Sequence, residues 1–152
     1  FSRLNPITKP VFNLERIPLP PHNYTQEKLK IDVRLPEALK FIQREQLNEF
    51  FPGDLRQVGI ILQGGMYNTT IRALQQLGLA DPYGASRIPL YVLNVTYPLV
   101  HEEVTRFCSG KRAVLVVEEG HGFYNPMNVA ELYRRIEAFL KANIGEGTGS
   151  SN

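Results

Sequence analysis

The chain has little cysteine: Cys108 is the single thiol among 152 residues. One thiol cannot form an internal disulfide, and alone it cannot hold a structural zinc or an iron–sulfur cluster. A reducing, cytoplasmic compartment is the natural expectation. An excess of charge of either sign is also missing. Seventeen Lys and Arg against fifteen Asp and Glu leave a net charge of +2. No clustered basic run stands out, so the usual footprint of nucleic-acid binding is absent. The mixed-charge stretches around Arg44-Glu45 and Arg134-Arg135 read as solvated helix faces. No apolar run approaches the length needed to cross a bilayer. No charged-then-apolar leader precedes the first elements, so secretion has no support. Phe1 stands where a methionine would start a gene product. That suggests a piece cut from a longer polypeptide, or a chain that starts where order starts. The triplets at Asn23, Asn68 and Asn94 would be glycosylated only in a secreted protein, and Asn94 falls at the end of a buried strand.

The signatures of familiar chemistry are missing as well. There is no G-x-G-x-x-G, no G-x-x-x-x-G-K-[ST] and no G-x-S-x-G, which leaves dinucleotide, P-loop and serine-hydrolase readings without a motif. His101-Glu102-Glu103 begins like a zinc-protease helix, but the position four residues after the histidine holds Thr105. His22 and His121 have no metal-ligand neighbour at a useful spacing. Cys108, beside Phe107 late in a helix, reads as a core residue.

What is present is a regular alternation of elements. A hydrophobic content of 43% is ordinary for a soluble domain, and the length suits one domain with a real core. Residues 1–30 carry Pro6, Pro10, Pro18, Pro20 and Pro21 and read as an extended arm or interdomain connector. Its apolar residues (Val11, Phe12, Leu14, Ile17, Leu19) predict that the arm is docked on a surface. Pro36 opens a helix whose apolar set is Leu39, Ile42, Leu47, Phe50 and Phe51, with Pro52-Gly53 as the stop. Val58–Leu62 (VGIIL) is a continuous apolar run, the mark of a strand covered on both faces. Gly64-Gly65 turns the chain into a helix over Tyr67–Leu77, which Gly78 ends. Ala80–Arg87 is a loop. Ile88–Val95 is a second strand with Pro89 near its start. Pro98 begins a helix to Cys108, ending at Gly110. Ala113–Val117 (AVLVV) is a third strand, delivering Glu118-Glu119. A last helix over Met127–Ala142 has Val129, Leu132, Tyr133, Ile136 and Leu140 as its stripe. The tail, 145–152, is Gly/Ser-rich and is expected to be disordered. Two consecutive βαβ units predict an α/β fold over 31–144: three layers, α/β/α, around a mainly parallel sheet.

In such sheets ligands bind outside the carboxyl ends of the strands. The candidates there are Gly64, Gly65, Asn68, Glu118 and Glu119. The two glycines could let backbone approach a ligand, or could merely turn the chain. Asn68 could face a ligand, or cap the helix. Glu118 and Glu119 could bind a metal or act as acid and base. However, neighbours on a strand point to opposite faces, which favours a salt bridge or a subunit contact.

Three quoted stretches carry a family likeness: LPPHNYTQEKLKIDVRLPEALKFIQREQLNEFF, VGIILQGGMYNTTIRALQQLGL and YPLVHEEVTRFCSGKRAVLVVEEGH. Over residues 17–121 the chain resembles indolepyruvate ferredoxin oxidoreductase, in the domain after the thiamine-diphosphate pyrimidine-side domain. That domain is similar to the C-terminal domain of transketolase. The resemblance implies an enzyme that oxidatively decarboxylates an aryl 2-oxoacid and couples the product to coenzyme A. Electrons pass through iron–sulfur clusters to ferredoxin. It further implies that thiamine diphosphate, magnesium and the clusters reside in other domains, and that the full enzyme is a homodimer. Gly53-Asp54 is followed by Leu55, so the Gly-Asp-Gly start of a diphosphate–magnesium motif is absent. In the family Glu-Glu is followed by a further helix and strand, whereas here GHGFYNPMN follows at once. Either that piece is lost or the chain skips residues.

By this resemblance the chain is a non-catalytic assembly domain, inactive alone, with other domains or subunits of the same enzyme as its partners. The alternatives are a stand-alone flavodoxin-like nucleotide- or cofactor-binding module using the Gly64-Gly65 turn, and an adaptor docking a partner through the proline-rich arm.

Overall fold

The computed structural model describes Asn13, residues 19–118 and residues 126–145. Most of the expected arm, Glu119 and the tail beyond Gly145 lie outside the described residues. The chain divides into two compact units, Phe1–Ala38 and Leu39–Asn152.

In the first unit the expected extended run is helical from His22. Helix α1 (His22–Leu29) passes through a π segment (Lys30–Arg34) into helix α2 (Leu35–Arg44). The prolines stop at Pro21, and Gln26, Glu27, Lys28 and Leu29 are good helix formers, so nothing holds this stretch extended. Pro36 sits inside the helical path rather than opening it. Its missing N–H removes an i→i−4 bond, and the wider π turn lies just before it. Lys30 pairs with Glu27, and the Arg34 guanidinium donates to the Gln26 carbonyl at 2.9 Å.

The second unit is built on four strands: β1 (Glu49–Phe51), β2 (Val58–Gln63), β3 (Leu90–Leu93) and β4 (Ala113–Val117), in the order β1-β3-β2-β4. β3, β2 and β4 run parallel, and β1 is antiparallel to β3. Helix α3 (Tyr67–Gln76) joins β2 to β3, and helix α4 (His101–Cys108) joins β3 to β4 on the far side of β2. Two crossovers of one hand running in opposite directions must lie on opposite faces of the sheet. That is the arrangement found. Ile60, Leu62, Leu90, Val92 and Val117 pack with α3 and with Leu132, Ile136 and Leu140 of helix α5 (Pro126–Ile144). Ile61, Tyr91 and Leu93 pack on the other face with Phe107 of α4. The sheet is therefore the middle of three layers, and the expected α/β class and mainly parallel sheet are observed.

Phe50 and Phe51 correct the sequence reading. Both fit the helical spacing from Leu39, yet α2 ends at Arg44 and both lie on β1. Gln46 makes the break, with φ of 50°. Leu47 N–H donates back to the Ile42 carbonyl at 3.1 Å, so the helix closes in a left-handed turn normally given to glycine. On β1 the phenylalanines alternate. Phe50 stacks on Tyr91 with centroids 4.4 Å apart, and Phe51 meets Tyr67 on the opposite face at 5.3 Å. Left-handed backbone costs a non-glycine residue roughly 1–2 kcal/mol, partly offset by the greater freedom glycine loses on folding. Gln46→Gly should therefore raise stability by about 0.5–1 kcal/mol in urea unfolding. A loss of stability would show that the Gln46 side chain contributes more than its backbone strain costs.

Candidate functional site

Four of the five candidates, Gly64, Gly65, Asn68 and Glu118, are among the described residues, and the Leu62↔Val117 pairing sets Glu118 beside the strand end that leads into Gly64. Gly64 opens a short 3₁₀ turn, Gly64–Met66, that leads into α3. A Cβ placed on Gly64 would lie 2.5 Å from Asn94 Oδ1, whereas one on Gly65 would meet nothing within 4 Å. Gly64 is thus small because a protein side chain fills the space beside it. That side chain is fixed: Asn94 Nδ2 donates to the Leu47 carbonyl at 2.9 Å. Asn68 is exposed in the first turn of α3, and the residue at the cap position is Met66, with no side-chain cap bond. Glu118 is exposed at the end of β4, and Glu119 lies outside the described residues.

Around Glu118 the strand ends do enclose a cavity, on the α4 face. Its volume is about 190 Å³, and Ile61, Leu93, Leu99, Val104 and Val116 wall it, with Gln63, Thr96 and Glu118 also lining it. Small-molecule sites usually measure roughly 300–1,000 Å³. This one has room for a single ring or apolar side chain rather than a nucleotide.

The polar cluster that the structure does assemble lies at the other edge, and no sequence motif marks it. Asn48 is buried in the bend just before β1. Its Nδ2 donates to Glu103 Oε2 of α4 at 3.1 Å and approaches the Tyr91 hydroxyl at 3.3 Å; its Oδ1 accepts the Val95 N–H at 3.0 Å. The Tyr91 hydroxyl donates to the same Glu103 oxygen at 2.8 Å. Burial first, and then the adjacent Glu103 carboxylate, push the Tyr91 phenol above its ordinary range. Asn48 and Glu103 line an open cleft of about 790 Å³ whose walls also include Gln43, Gln46, Glu49, Glu102 and Arg106. Arg106 lies over the Phe50 ring, 4.7 Å from its centroid. The cleft offers hydrogen-bond donors and acceptors, but no nucleophile paired with a base. Asn48, Tyr91 and Glu103 bind β1, β3, the loop after β3 and α4 to one another, which is a structural task. Tyr91 pairs with Phe50 across strands, and Glu103 follows twelve residues later. Only the three-dimensional fold makes them neighbours.

Cys108 is half-buried and packs against the Phe107 cluster. Among the described residues no three His, Cys, Asp or Glu side chains are grouped to hold a metal, and no helix is long and apolar enough to cross a membrane.

Residues 48–141, which hold the whole sheet and both faces of its core, match the family model described as the indolepyruvate ferredoxin oxidoreductase middle domain. The chain belongs to that family. Among curated relatives, an indolepyruvate oxidoreductase subunit IorA from Methanothermobacter thermautotrophicus is 31% identical over 104 residues, covering 68% of this chain and 16% of the relative. The protein of the same name from Methanothermobacter marburgensis is 44% identical over 73 residues, covering 48% of this chain and 10% of the relative. The chain thus matches only a small share of each relative's length. No solved structure matches.

Two predictions test these assignments. Gly64→Ala must displace Asn94 from Leu47 and should cost about 1–2 kcal/mol, while Gly65→Ala should stay within about 0.5 kcal/mol. Equal costs in denaturant titrations would contradict the packing role of Gly64. For Tyr91 the folded phenol titrates above the unfolded one. Its contribution is therefore complete below the unfolded value near 10 and is lost as pH rises beyond it. Tyr91→Phe should be less stable at neutral pH by about 1 kcal/mol, yet lose less than the parent between pH 10 and 12. Parallel pH–stability curves would remove the phenol from the network.

Proposed function

We propose that this chain is an assembly domain of a 2-oxoacid (indolepyruvate) ferredoxin oxidoreductase. In the full enzyme a thiamine-diphosphate-dependent decarboxylation yields an acyl-coenzyme A, and iron–sulfur clusters pass the electrons to ferredoxin. The chain contributes a packed layer to that enzyme, a cytoplasmic homodimer, and leaves the cofactors to other domains. A transketolase C-terminal-like architecture belongs to the same reading.

The observation that carries it is the family match over the whole sheet, joined to the small share of each relative that the chain spans. The residues here also fit the cofactors poorly. A single cysteine cannot ligate a cluster. Gly53-Asp54 is occupied structurally: a Cβ on Gly53 would lie 2.4 Å from the Arg87 carbonyl oxygen. Asp54 Oδ2 accepts from Arg87 Nη2 at 2.9 Å. That guanidinium holds the exposed Asp54 carboxyl below the usual carboxylate range. No diphosphate–magnesium step is assigned to these residues.

The purified chain should therefore show no indolepyruvate-dependent reduction of an artificial electron acceptor, with thiamine diphosphate, magnesium and coenzyme A supplied. Thiamine diphosphate, nicotinamide and flavin cofactors should leave its melting temperature unchanged, because only a ligand of the folded state raises it. Turnover would sink the reading, and a clear thermal shift with a flavin or nucleotide would favour the stand-alone binding module.

A further inference from the structure

One groove runs along β1 and α4, and its two ends carry opposite charge. The cleft of about 790 Å³ beside Asn48 and a neighbouring cleft of about 460 Å³ share Phe50, Phe51 and Arg106. Glu49, Glu102 and Glu103 line the first cleft, and Lys111 lines the second. Between the two ends Phe50 is 40% exposed, stacked on Tyr91 and with Arg106 over its ring. Lys111 is also held in place. Its stem lies against β2, where a Cβ on Gly59 would come within 2.8 Å of Lys111 Cδ. Its ammonium sits 4.5 Å from the centroid of the Phe107 ring. Charges fixed before a partner arrives have less freedom to lose in a complex.

A helix favours acid at its start and base in its last turn, which accounts for Glu102 and Arg106. It accounts neither for Glu49, on β1, nor for Lys111, beyond the end of α4. Among the described residues Glu49, Arg106 and Lys111 form no ion pair. Unpaired charges of both signs around an exposed aromatic ring are the complement of a segment charged in the reverse order. The length of the groove sets the spacing. α4 has eight residues and is about 12 Å long. An extended segment rises about 3.4 Å per residue and sets residues i, i+2 and i+4 on one face. A cation at i and a carboxylate at i+4 therefore span the groove, with i+2 over its middle. We propose that this groove docks an extended segment from another domain or subunit of the enzyme. Its cation meets Glu49 and Glu102, its central apolar side chain covers Phe50, and its carboxylate meets Arg106 and Lys111. The inference rests on the proposed function: the chain covers 16% and 10% of its two relatives, and the rest of the enzyme supplies the segment.

Peptide binding to the chain at low salt tests the assignment. The probes are the end-capped pentapeptides Lys-Ser-Leu-Ser-Glu and Glu-Ser-Leu-Ser-Lys, which present the pattern in the two chain directions. One of them should bind with a Kd below about 1 mM. It should shift the amide resonances of residues 49–51 and 102–111 in two-dimensional NMR spectra. Lys-Ser-Leu-Ser-Lys and Glu-Ser-Leu-Ser-Glu should bind about five-fold more weakly or worse. Lys111→Glu makes both ends acidic and should turn the preference to Lys-Ser-Leu-Ser-Lys. Glu49→Lys, on the exposed start of β1, should turn it towards Glu-Ser-Leu-Ser-Glu, with the fold of each variant checked by circular dichroism. The proposal is overturned if neither mixed peptide binds, if all four bind alike, or if the shifts map elsewhere. Any of these results leaves the absence of turnover, and with it the domain assignment, untouched.

Discussion

The structure depends on β2 being covered everywhere at once. Five of its six residues are buried, and Val58, Ile60 and Leu62 are wholly inaccessible. A strand in that position must have its backbone satisfied on both sides and its side chains covered on both faces. β3 and β4 meet the first requirement. The second sends α3 and α5 to one face and α4 to the other. After the edge strand β1, the parallel part of the sheet starts at β2 in the middle and builds outward to β3 on one side and β4 on the other, so the remaining elements have little choice of place.

The same constraint explains what could be read in advance. VGIIL, IPLYVLNV and AVLVV are runs whose burial is decided by composition alone, and the helices between them follow from spacing, Gly78 and Gly110. The misread segment, 45–51, has apolar residues that fit two periods. Phe50 and Phe51 satisfy a helix stripe locally, and the strand wins because Tyr91 and Tyr67 lie in wait on the two faces of the sheet. Gln46 hides the boundary, since it takes a conformation for which the sequence would normally show glycine or asparagine. The helix from His22 was hidden by prolines that end one residue earlier.

Candidate sites were less legible because their meaning is tertiary. Gly64 has the same local sequence context whether a ligand or Asn94 fills the space beside it; thirty residues separate the two, and only the sheet brings them together. The Asn48–Tyr91–Glu103 cluster has no motif for the same reason. Its members arrive from the bend before β1, from β3 and from α4, and each looks ordinary alone. The strand ends, where an α/β sheet usually carries its ligand, hold a small, mostly apolar cavity walled by side chains from β2, β3, β4 and α4.

Amide hydrogen exchange tests the dominance of β2 most directly. If both faces and both edges of this strand are the foundation of the fold, the amides of Gly59–Leu62 should exchange slowest in the chain and only through global unfolding. Their opening free energy should equal the unfolding free energy from denaturant. Amides on β2 that exchange as fast as those of β1, by local opening, would contradict the account.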